Sequence, residues 1–492
     1  MLKRILIFLL ALCCCVPALA DTYQAYNYDA WGESVPAPQN YLPTHSITLN
    51  ETGKALKNPS DVFVWQEKLI YISDSGNNRI VVLDADYQLL REIAAYESET
   101  GSVELKNPTG IFVDQAGLLY ICLPDEGRVV VLDGDNRLVR EYGRPESDLL
   151  EENAVYKPNK VIANQLGTVF VLPQGMYLGA VMYDSRGNFL GFYGANDVVV
   201  TVDLLVDYMW KQLLTQEQVS SMARYVPVQY ASFDIDRNNF IYTCTNESNN
   251  TYGEISKLNS LGDNVLISHT RNVVGKTANY GDLETALYLG QLQDTRFVDL
   301  AIHDNELLYA LDRTRGRVFV YDQESHLLGV FGGSGDQQGT FDYPIALDTI
   351  GQTVMVLDHE KNCLTLFERT HYGELVESAV LLYMDGLYAE ARELWEQVAL
   401  YNVNCELAYT GIGKALYEEG KYKEAMHYFK LGYDRVGYSR AFDEYRMEAA
   451  RGVFPTVCTV LAVLVIAGMV FKKVRSRKAE SLQIKSQVRN RT

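Results

Sequence analysis

Residues 70–84 read IYISDSGNNRIVVLD, and this short stretch carries the pattern that decides the fold. Two apolar runs flank a polar segment of Asp, Ser, Gly and Asn, and Arg79 opens the second run. Alternating β-branched residues around a Gly/Asn turn predict a β-hairpin. Such a hairpin is either a local feature or one unit of a repeat, and its recurrence along the chain distinguishes the two.

The hairpin does recur, inside a longer unit that opens with a strand, continues with an aromatic strand and a turn, and ends with an apolar strand. Six copies begin near Asn58, Asn107, Lys157, Gln229, Arg296 and Tyr343. Repeats of about 40–50 residues with four strands each are typical of propeller blades. The sixth copy stops after three strands, and HSITLN (residues 45–50) supplies a spare one. We predict that this strand pairs with residues 363–368 and closes the ring, because a closed ring has no exposed edge.

The quoted pattern resembles the NHL repeat, and residues 45–370 are similar to a six-bladed NHL propeller. The lead-in YNYDAWGESVPAPQNY (residues 26–41) resembles membrane-anchored NHL proteins of Gram-positive bacteria. That resemblance implies a signal peptide, a propeller, helical hairpins and one C-terminal span. It also implies a link to envelope transport systems.

Both ends of the chain predict export and anchoring. Residues 1–20 combine a basic start, an apolar core and an Ala-Leu-Ala cleavage site, which is typical of a signal peptide. Residues 453–471 form an uncharged stretch of nineteen residues, long enough to span a bilayer. A basic tail, 472–492, follows and favours the cytoplasm. Residues 21–452, beginning with an extended lead-in at 21–44, are therefore expected outside a single-pass cell-membrane protein.

The charge distribution excludes one class of partner. The tail has eight basic residues and one acidic residue, and the N-terminal region adds two basic residues, so the total of −19 leaves −28 for residues 5–471. An exported region this acidic repels phosphate backbones, which excludes nucleic-acid binding.

Cysteine usage argues against a disulfide framework. Four cysteines remain outside the leader and the span, widely separated and mostly within apolar patterns. We expect buried free thiols at Cys122, Cys244, Cys363 and Cys405.

Two segments depart from the strand pattern. Residues 202–227 predict a helical pair inserted between blades three and four. In residues 371–450, two stretches align at an offset of 34 residues, which is the period of tetratricopeptide helix pairs. Ala391 and Ala425 fall where paired helices approach closely. These two tetratricopeptide-like hairpins either form a groove that binds a peptide or a helix, or serve as a stalk.

The predicted fold class is therefore an all-β six-bladed propeller followed by an all-α tetratricopeptide-like segment and one transmembrane helix.

Arginines recur at one position of the blade, directly after the turn. Arg79, Arg128 and Arg317 are expected to bridge carboxylates such as Asp74 or Asp312, because a guanidinium pairs well with them. We interpret these pairs as structural links within the blades.

One position of the innermost strand is expected to face the propeller axis in each blade. Around the ring it reads Asp61, Gly110, Lys160, Ser232, Asp299 and Ala346. The polar members, Asp61, Lys160, Ser232 and Asp299, are the candidate ligand-binding residues. They bind a small polar ligand or line a water-filled channel. We expect no metal, because a lysine near the ion opposes it.

The sequence contains no HExxH, GxSxG or phosphate-loop motif, so we predict neither catalytic residues nor a cofactor. The expected function is binding: a receptor or scaffold for a protein, peptide or glycan at the envelope, with an accessory role in a transport complex as one form of it. The alternative is a metal-dependent hydrolase of the gluconolactonase type, which needs several oxygen ligands converging on one ion.

Overall fold

The computed structural model describes residues 23–150, 155–176, 178–194, 229–245, 255–266, 271–273, 276–278, 280–282, 286–288, 291–293, 295–303 and 306–489. They form six blades followed by five helices, one of which is long and apolar enough to span a membrane, so the predicted fold class is confirmed. The predicted signal peptide (1–20) and helical insertion (202–227) lie outside the described residues.

Each blade is an antiparallel sheet. In blades one to five the strands follow chain order from the inside outwards, and in blade six the outermost strand comes from upstream of blade one. Blades one to three comprise β4 (Asp61–Trp65), β5 (Leu69–Asp74), β6 (Arg79–Asp84), β7 (Leu89–Ile93), β10 (Ile111–Val113), β11 (Leu119–Leu123), β12 (Arg128–Leu132), β13 (Leu138–Tyr142), β14 (Pro158–Ala163), β15 (Val169–Pro173), β16 (Ala180–Tyr183) and β17 (Phe189–Tyr193). Blades four to six comprise β18 (Tyr230–Ile235), β19 (Ile241–Thr245), β20 (Ile255–Leu258), β25 (Phe297–Ile302), β26 (Leu308–Asp312), β27 (Arg317–Tyr321), β28 (Leu327–Phe331), β29 (Pro344–Ile350), β30 (Thr353–Asp358), β31 (Cys363–Arg369) and β3 (Tyr41–Ile47). Four small hairpins contain β1 (Tyr26–Tyr28), β2 (Ser34–Pro36), β8 (Ala95–Ser98), β9 (Gly101–Glu104), β21 (Arg271–Val273), β22 (Lys276–Ala278), β23 (Ala286–Tyr288) and β24 (Gln291–Gln293).

The six innermost strands form a closed circle. Each contacts the innermost strand of the next blade, and β29 of blade six contacts β4 of blade one. Apolar side chains fill the space between neighbouring blades: Ile80 and Val82 of blade one pack with Ile111 and Ile121 of blade two. Removing these faces from water is what holds one blade against the next. The predicted thiols Cys122, Cys244, Cys363 and Cys405 are buried, as expected, and none of them forms a disulfide within the described part of the chain.

A strand from upstream of blade one closes the ring, as predicted. β3 pairs antiparallel with β31, with Ile47 opposite Leu364 and Tyr41 opposite Arg369. The strand covers residues 41–47 rather than 45–50, because Leu49 adopts a left-handed conformation (φ 59°) and starts a short 3₁₀ turn. We call β3 and β31 the closing pair.

A buried polar cluster joins the closing pair to the first helix, α1 (His371–Met384). The Tyr41 hydroxyl donates to Glu377 Oε1 at 2.6 Å and lies 2.9 Å from the hydroxyl of Tyr309. Arg369 Nη1 lies 2.7 Å from Glu377 Oε2. Burial raises the pKa of Glu377, while the bonds from Tyr41 and Arg369 oppose that rise. Helix α1 up to Leu381 therefore forms one compact unit with the propeller.

We expect Tyr41→Phe to lower the free energy of unfolding by about 1–3 kcal/mol, because Glu377 Oε1 loses its donor while it stays buried. The measurement is urea unfolding of the detergent-solubilised full chain. Tyr71→Phe is the matched control: its ring is as buried, and its hydroxyl makes no hydrogen bond to any described residue. Equal losses for the two variants would show that the Glu377 bond adds nothing to stability.

The recurring arginines form ion pairs within the blades. Arg79 Nε lies 2.7 Å from Asp74 Oδ2, and Arg79 Nη1 lies 2.7 Å from Glu92 Oε2. The pairing of Arg79 with Asp74 is as predicted, and Arg128 pairs instead with Glu126 and Glu141.

Arg317 forms its ion pair with a carboxylate other than the two that the sequence offered as examples. Arg317 Nη1 lies 2.8 Å from Asp282 Oδ2 and donates to the hydroxyl of Tyr26 at 2.5 Å. Asp312 instead accepts backbone N–H groups, including those of Arg296 and Thr314. The difference arises because the lead-in brings Tyr26 into blade five, where it shares Asp282 with the guanidinium.

The second compact unit contains residues 382–399 and 406–492. The helices after α1 are α2 (Tyr388–Tyr401), α3 (Glu406–Glu418), α4 (Tyr422–Leu431) and α5 (Arg435–Arg489). Gly386 and Gly420, 34 residues apart, take positive φ values of 77° and 75° in the turns after α1 and α3, where glycine fits best. Ala391 and Ala425 are fully buried. Their assignment to tetratricopeptide hairpins stays a prediction.

Helix α5 is 55 residues long and contains the predicted span. By length and composition, residues 435–482 contain a stretch that is long and apolar enough to cross a membrane. Pro455 lies inside the helix, and Thr459 Oγ1 donates to its carbonyl oxygen at 2.7 Å.

Candidate functional site

The axial ring predicted from the repeat is assembled at the centre of the propeller. Asp61, Lys160, Ser232 and Asp299 lie on the innermost strands of blades one, three, four and five. Gly110 precedes the innermost strand of blade two, where an added Cβ would lie 2.7 Å from the Lys160 Cα. Glycine at this position therefore permits the close approach of blade three.

Lys160 joins three alternate blades across the axis. Its ammonium nitrogen lies 2.7 Å from Asp61 Oδ1 and 3.0 Å from Asp299 Oδ1. The Ser232 hydroxyl also donates to Asp299 Oδ1, at 2.5 Å. All four predicted ring residues thus belong to one hydrogen-bonded cluster, in which the two aspartates are buried.

Each ring carboxylate also bonds to the backbone of the following blade. The backbone N–H of Ile111 in blade two donates to Asp61 Oδ2 at 2.8 Å. In the same way the N–H of Leu347 in blade six donates to Asp299 Oδ2 at 2.9 Å. Charged acceptors make the stronger kind of hydrogen bond. These bonds therefore link blade one to blade two and blade five to blade six.

Two further carboxylates, Asp234 and Asp348, lie at the axis and were not predicted from the sequence. They lie two residues after the ring position in blades four and six, and alternate residues of a strand share a face. The N–H of Ile302 donates to Asp234 at 2.9 Å, and the N–H of Val64 donates to Asp348 at 2.6 Å. Reading the next position of the same parity round the ring would have found both residues.

Burial dominates the electrostatics of the axis. It raises the pKa of Asp61 to about 6, although Lys160 opposes the rise. It also raises the pKa of Asp234 to about 6. The pKa of Asp348 is well above its ordinary value because of burial and the nearby charge of Asp234. Burial lowers the pKa of Lys160, but the charges of Asp299 and Asp61 outweigh it and raise the value.

A small axial cavity adjoins these groups. Its lining includes the charged residues Asp61, Lys160, Asp234, Asp299 and Asp348. Its volume is about 30 Å³, and about 10–15 Å³ holds one water molecule. The cavity therefore has room for a few waters beside four carboxylates and one ammonium.

The donor set does not match a metal centre. No group of three His, Cys, Asp or Glu side chains with the geometry to hold an ion occurs in the described part of the chain. The Lys160 ammonium occupies the position between Asp61 and Asp299. A cation at that position would have to displace it.

We expect the chain to become more stable as the pH falls from 7 to 5. The folded pKa of Asp234 is about 6, against about 3.9 for an unfolded aspartate. The folded state therefore binds more protons between these values, and stability falls as the pH rises through them. A rise of the Asp234 pKa by about 2 corresponds to about 2–3 kcal/mol in the free energy of unfolding. Water in the cavity reduces this contribution.

The measurement is the midpoint of urea unfolding at each pH, in wild type and in Asp234→Asn. The variant removes the titrating group, so its stability is expected to change less between pH 7 and pH 5. A slope as steep as that of the wild type would contradict the assignment of this pH dependence to Asp234.

No family model and no curated protein matches the sequence. Several solved structures are similar to part of this chain. A catalytically inactive virginiamycin B lyase from Staphylococcus aureus, with quinupristin, is 10% identical over 66% of this chain and 99% of its own, with a TM-score of 0.40. A gluconolactonase from Xanthomonas campestris is 13% identical over 69% of this chain and 98% of its own, with a TM-score of 0.40. A computationally designed protein is 11% identical over 67% of this chain and 100% of its own, with a TM-score of 0.35. These likenesses concern the fold alone.

Proposed function

We propose that the chain is an extracytoplasmic, membrane-anchored binding or scaffold protein, similar to the membrane-anchored NHL proteins of Gram-positive bacteria. Its propeller engages a protein, peptide or glycan partner at the cell envelope, as an accessory to a transport complex. In this proposal α5 anchors the chain, with residues 21–452 outside the cell and the tail 472–492 in the cytoplasm. The tail is assigned to the cytoplasm because it is basic, and basic residues beside a span favour the cytoplasmic side. It needs no cofactor.

One observation carries this proposal: the axial carboxylates are already engaged. Asp61 and Asp299 share Lys160, and both accept a backbone N–H from the next blade. A hydrolytic metal site instead leaves a coordination position open for water or substrate. The bonding at the axis leaves no such open position, which supports a binding role over a hydrolytic one.

The charge of the molecule favours a basic partner. Residues 5–471 carry a formal charge of −28, and oppositely charged surfaces accelerate association. The axial ring of Asp61, Lys160, Ser232 and Asp299 is proposed as a polar subsite for a small cationic group of that partner. Its four neighbouring carboxylates exceed its one ammonium, so an amine fits better than an anion.

Mild crosslinking of the full chain in native membranes, followed by identification of the bound proteins, tests this function. We expect a defined basic partner that is retained in the presence of a chelator and lost at high salt, because exposed charge pairs are screened. Absence of any specific partner would overturn the binding proposal.

The hydrolase alternative predicts different results. Ca²⁺ or Mn²⁺ would raise the melting temperature of the purified chain, because a ligand that binds only the folded state stabilises it. The rise would disappear in Asp61→Ala and Asp299→Ala. Lactone hydrolysis abolished by a chelator would replace the binding proposal with the enzymatic one.

A further inference from the structure

Helix α5 presents three aromatic side chains to solvent just before the apolar span. Tyr438, Phe442 and Tyr445 expose 37%, 42% and 37% of their surfaces. They lie beside the face that contains the fully buried Ala441, through which α5 packs on α4. Spacings of four and three residues place the three rings on one side of the helix.

The same spacing continues without interruption into the apolar span. Alternate steps of four and three residues from the first aromatic residue to the end of the span give ten positions, none of them charged. These positions, which we call the seam, are Tyr438, Phe442, Tyr445, Ala449, Gly452, Thr456, Thr459, Val463, Ile466 and Val470. The seam uses two of the seven positions of the repeat. Within residues 438–452, each of the other five positions is occupied at least once by a charged residue. Those charged residues are Arg440, Asp443, Glu444, Arg446, Glu448 and Arg451.

An uncharged stripe repeating every 3.5 residues is the sequence pattern of a helix that supercoils with another helix. The middle of the seam consists of small residues, from Ala449 to Thr459, which let two helix backbones approach closely. The Thr459 hydroxyl is satisfied by the carbonyl of Pro455 in its own helix. It therefore brings no unsatisfied donor into an apolar interface.

We propose that the seam is the interface of a parallel dimer, in which the α5 helices of two copies of this chain pack along the ten positions. The inference rests on the proposed membrane anchoring, which makes both copies enter the bilayer in the same direction. A second copy is the occupant that matches the seam throughout, because in a parallel, in-register pair each small residue meets an identical small residue. The seam ends where Lys473 occupies the next position, since like charges there repel.

Dimerisation would give the proposed function two propellers per assembly. Two linked binding modules turn the second binding event into an intramolecular one, and the avidity exceeds the affinity of either module. In this proposal α5 has two roles. It anchors each chain in the membrane, and it pairs the exported part of one copy with that of a second copy.

Cysteine scanning of the full chain in membranes tests the interface. Cys458 is the exposed cysteine among the described residues, so Cys458→Ser provides the background. Ala449→Cys lies on the seam, and Ala450→Cys is a matched control about 100° round the helix. Mild oxidation is expected to give a disulfide-linked dimer with Ala449→Cys and several-fold less with Ala450→Cys. Equal crosslinking at both positions, or none at either, would overturn the dimer.

A second pair of variants tests the close approach. Gly452→Leu places a bulky side chain on the seam, whereas Gly468→Leu makes the same change off it, and an added Cβ meets nothing within 4 Å at either glycine. Energy transfer between labelled chains in lipid vesicles is expected to fall several-fold with Gly452→Leu and to stay at the wild-type level with Gly468→Leu. Energy transfer unchanged in both variants would contradict the seam.

Alkaline extraction of the membranes separates failure of the dimer from failure of the anchoring. A chain that resists extraction but shows no periodic crosslinking is anchored and not paired through the seam. A chain that extracts into the soluble fraction contradicts the proposed membrane anchoring, and with it this dimer.

Discussion

Deletion of residues 23–47 is expected to abolish cooperative unfolding of the propeller. The deletion removes β3, which pairs with β31 on both sides of an irregularity between Pro43 and Ser46 and contributes the buried Tyr41 and Ile47. It leaves β31 as a long exposed edge and removes one donor from the buried Glu377. These losses act together on a fold whose entire stability is about 5–15 kcal/mol. The measurement is thermal unfolding of the full chain in detergent, with hydrogen exchange of β31 as a local probe.

A shorter deletion provides the control. Removing residues 23–38 takes away β1 and β2 with the Tyr26 and Tyr28 bonds to Asp282, but it leaves β3 in place. This variant is expected to melt at a lower temperature than wild type and to remain cooperative. A 23–47 deletion that melts cooperatively near the wild-type temperature would contradict the structural role of the closing pair.

Complementation provides a second check. A synthetic peptide of residues 37–50 added to the 23–47 deletion is expected to restore cooperative unfolding in a concentration-dependent manner, since strand addition to an open edge supplies main-chain hydrogen bonds. The same peptide with Tyr41→Ala is expected to restore less, because it lacks the ring and the hydroxyl that contact the buried cluster.

The sequence predicted the propeller because its determinants are local and repeated. The turn after Asp74 and the apolar run from Arg79 recur with recognisable spacing, so the number of blades and the closing strand followed from counting. The start of β3 was less predictable. It depends on the partner residues in β31, whereas its end depends on the left-handed conformation of Leu49.

The ring positions were predictable from the repeat, but their bonding was not. The sequence identified Asp61, Lys160 and Asp299 as axial, since equivalent positions of symmetric blades face one axis. It could not show that Lys160 crosses from blade three to blades one and five, because that depends on the width of the ring. The contacts of Arg317 were not predictable for a similar reason. Its guanidinium donates to Tyr26, which lies nearly 300 residues earlier in the chain.

Lys160→Met is expected to lower the free energy of unfolding by about 3–5 kcal/mol at pH 7, the usual cost of removing one partner of a buried ion pair. The variant leaves Asp61 and Asp299 buried without the ammonium that lies between them. Lys54→Met is the control, because Lys54 is half exposed and pairs with Glu92 at the surface. Its expected loss is below about 1 kcal/mol. Urea unfolding of the full chain measures both.

The pH dependence of the Lys160→Met loss identifies its electrostatic origin. Without the ammonium the pKa of Asp61 rises further above its folded value of about 6, because burial is no longer opposed. The folded variant then binds more protons than wild type, so its deficit is expected to shrink as the pH falls from 7 to 5. The Lys54→Met loss should stay constant over the same range. A Lys160→Met loss that is independent of pH would assign the effect to lost packing of the lysine stem, and a variant as stable as wild type would show that the ring does not depend on its central charge.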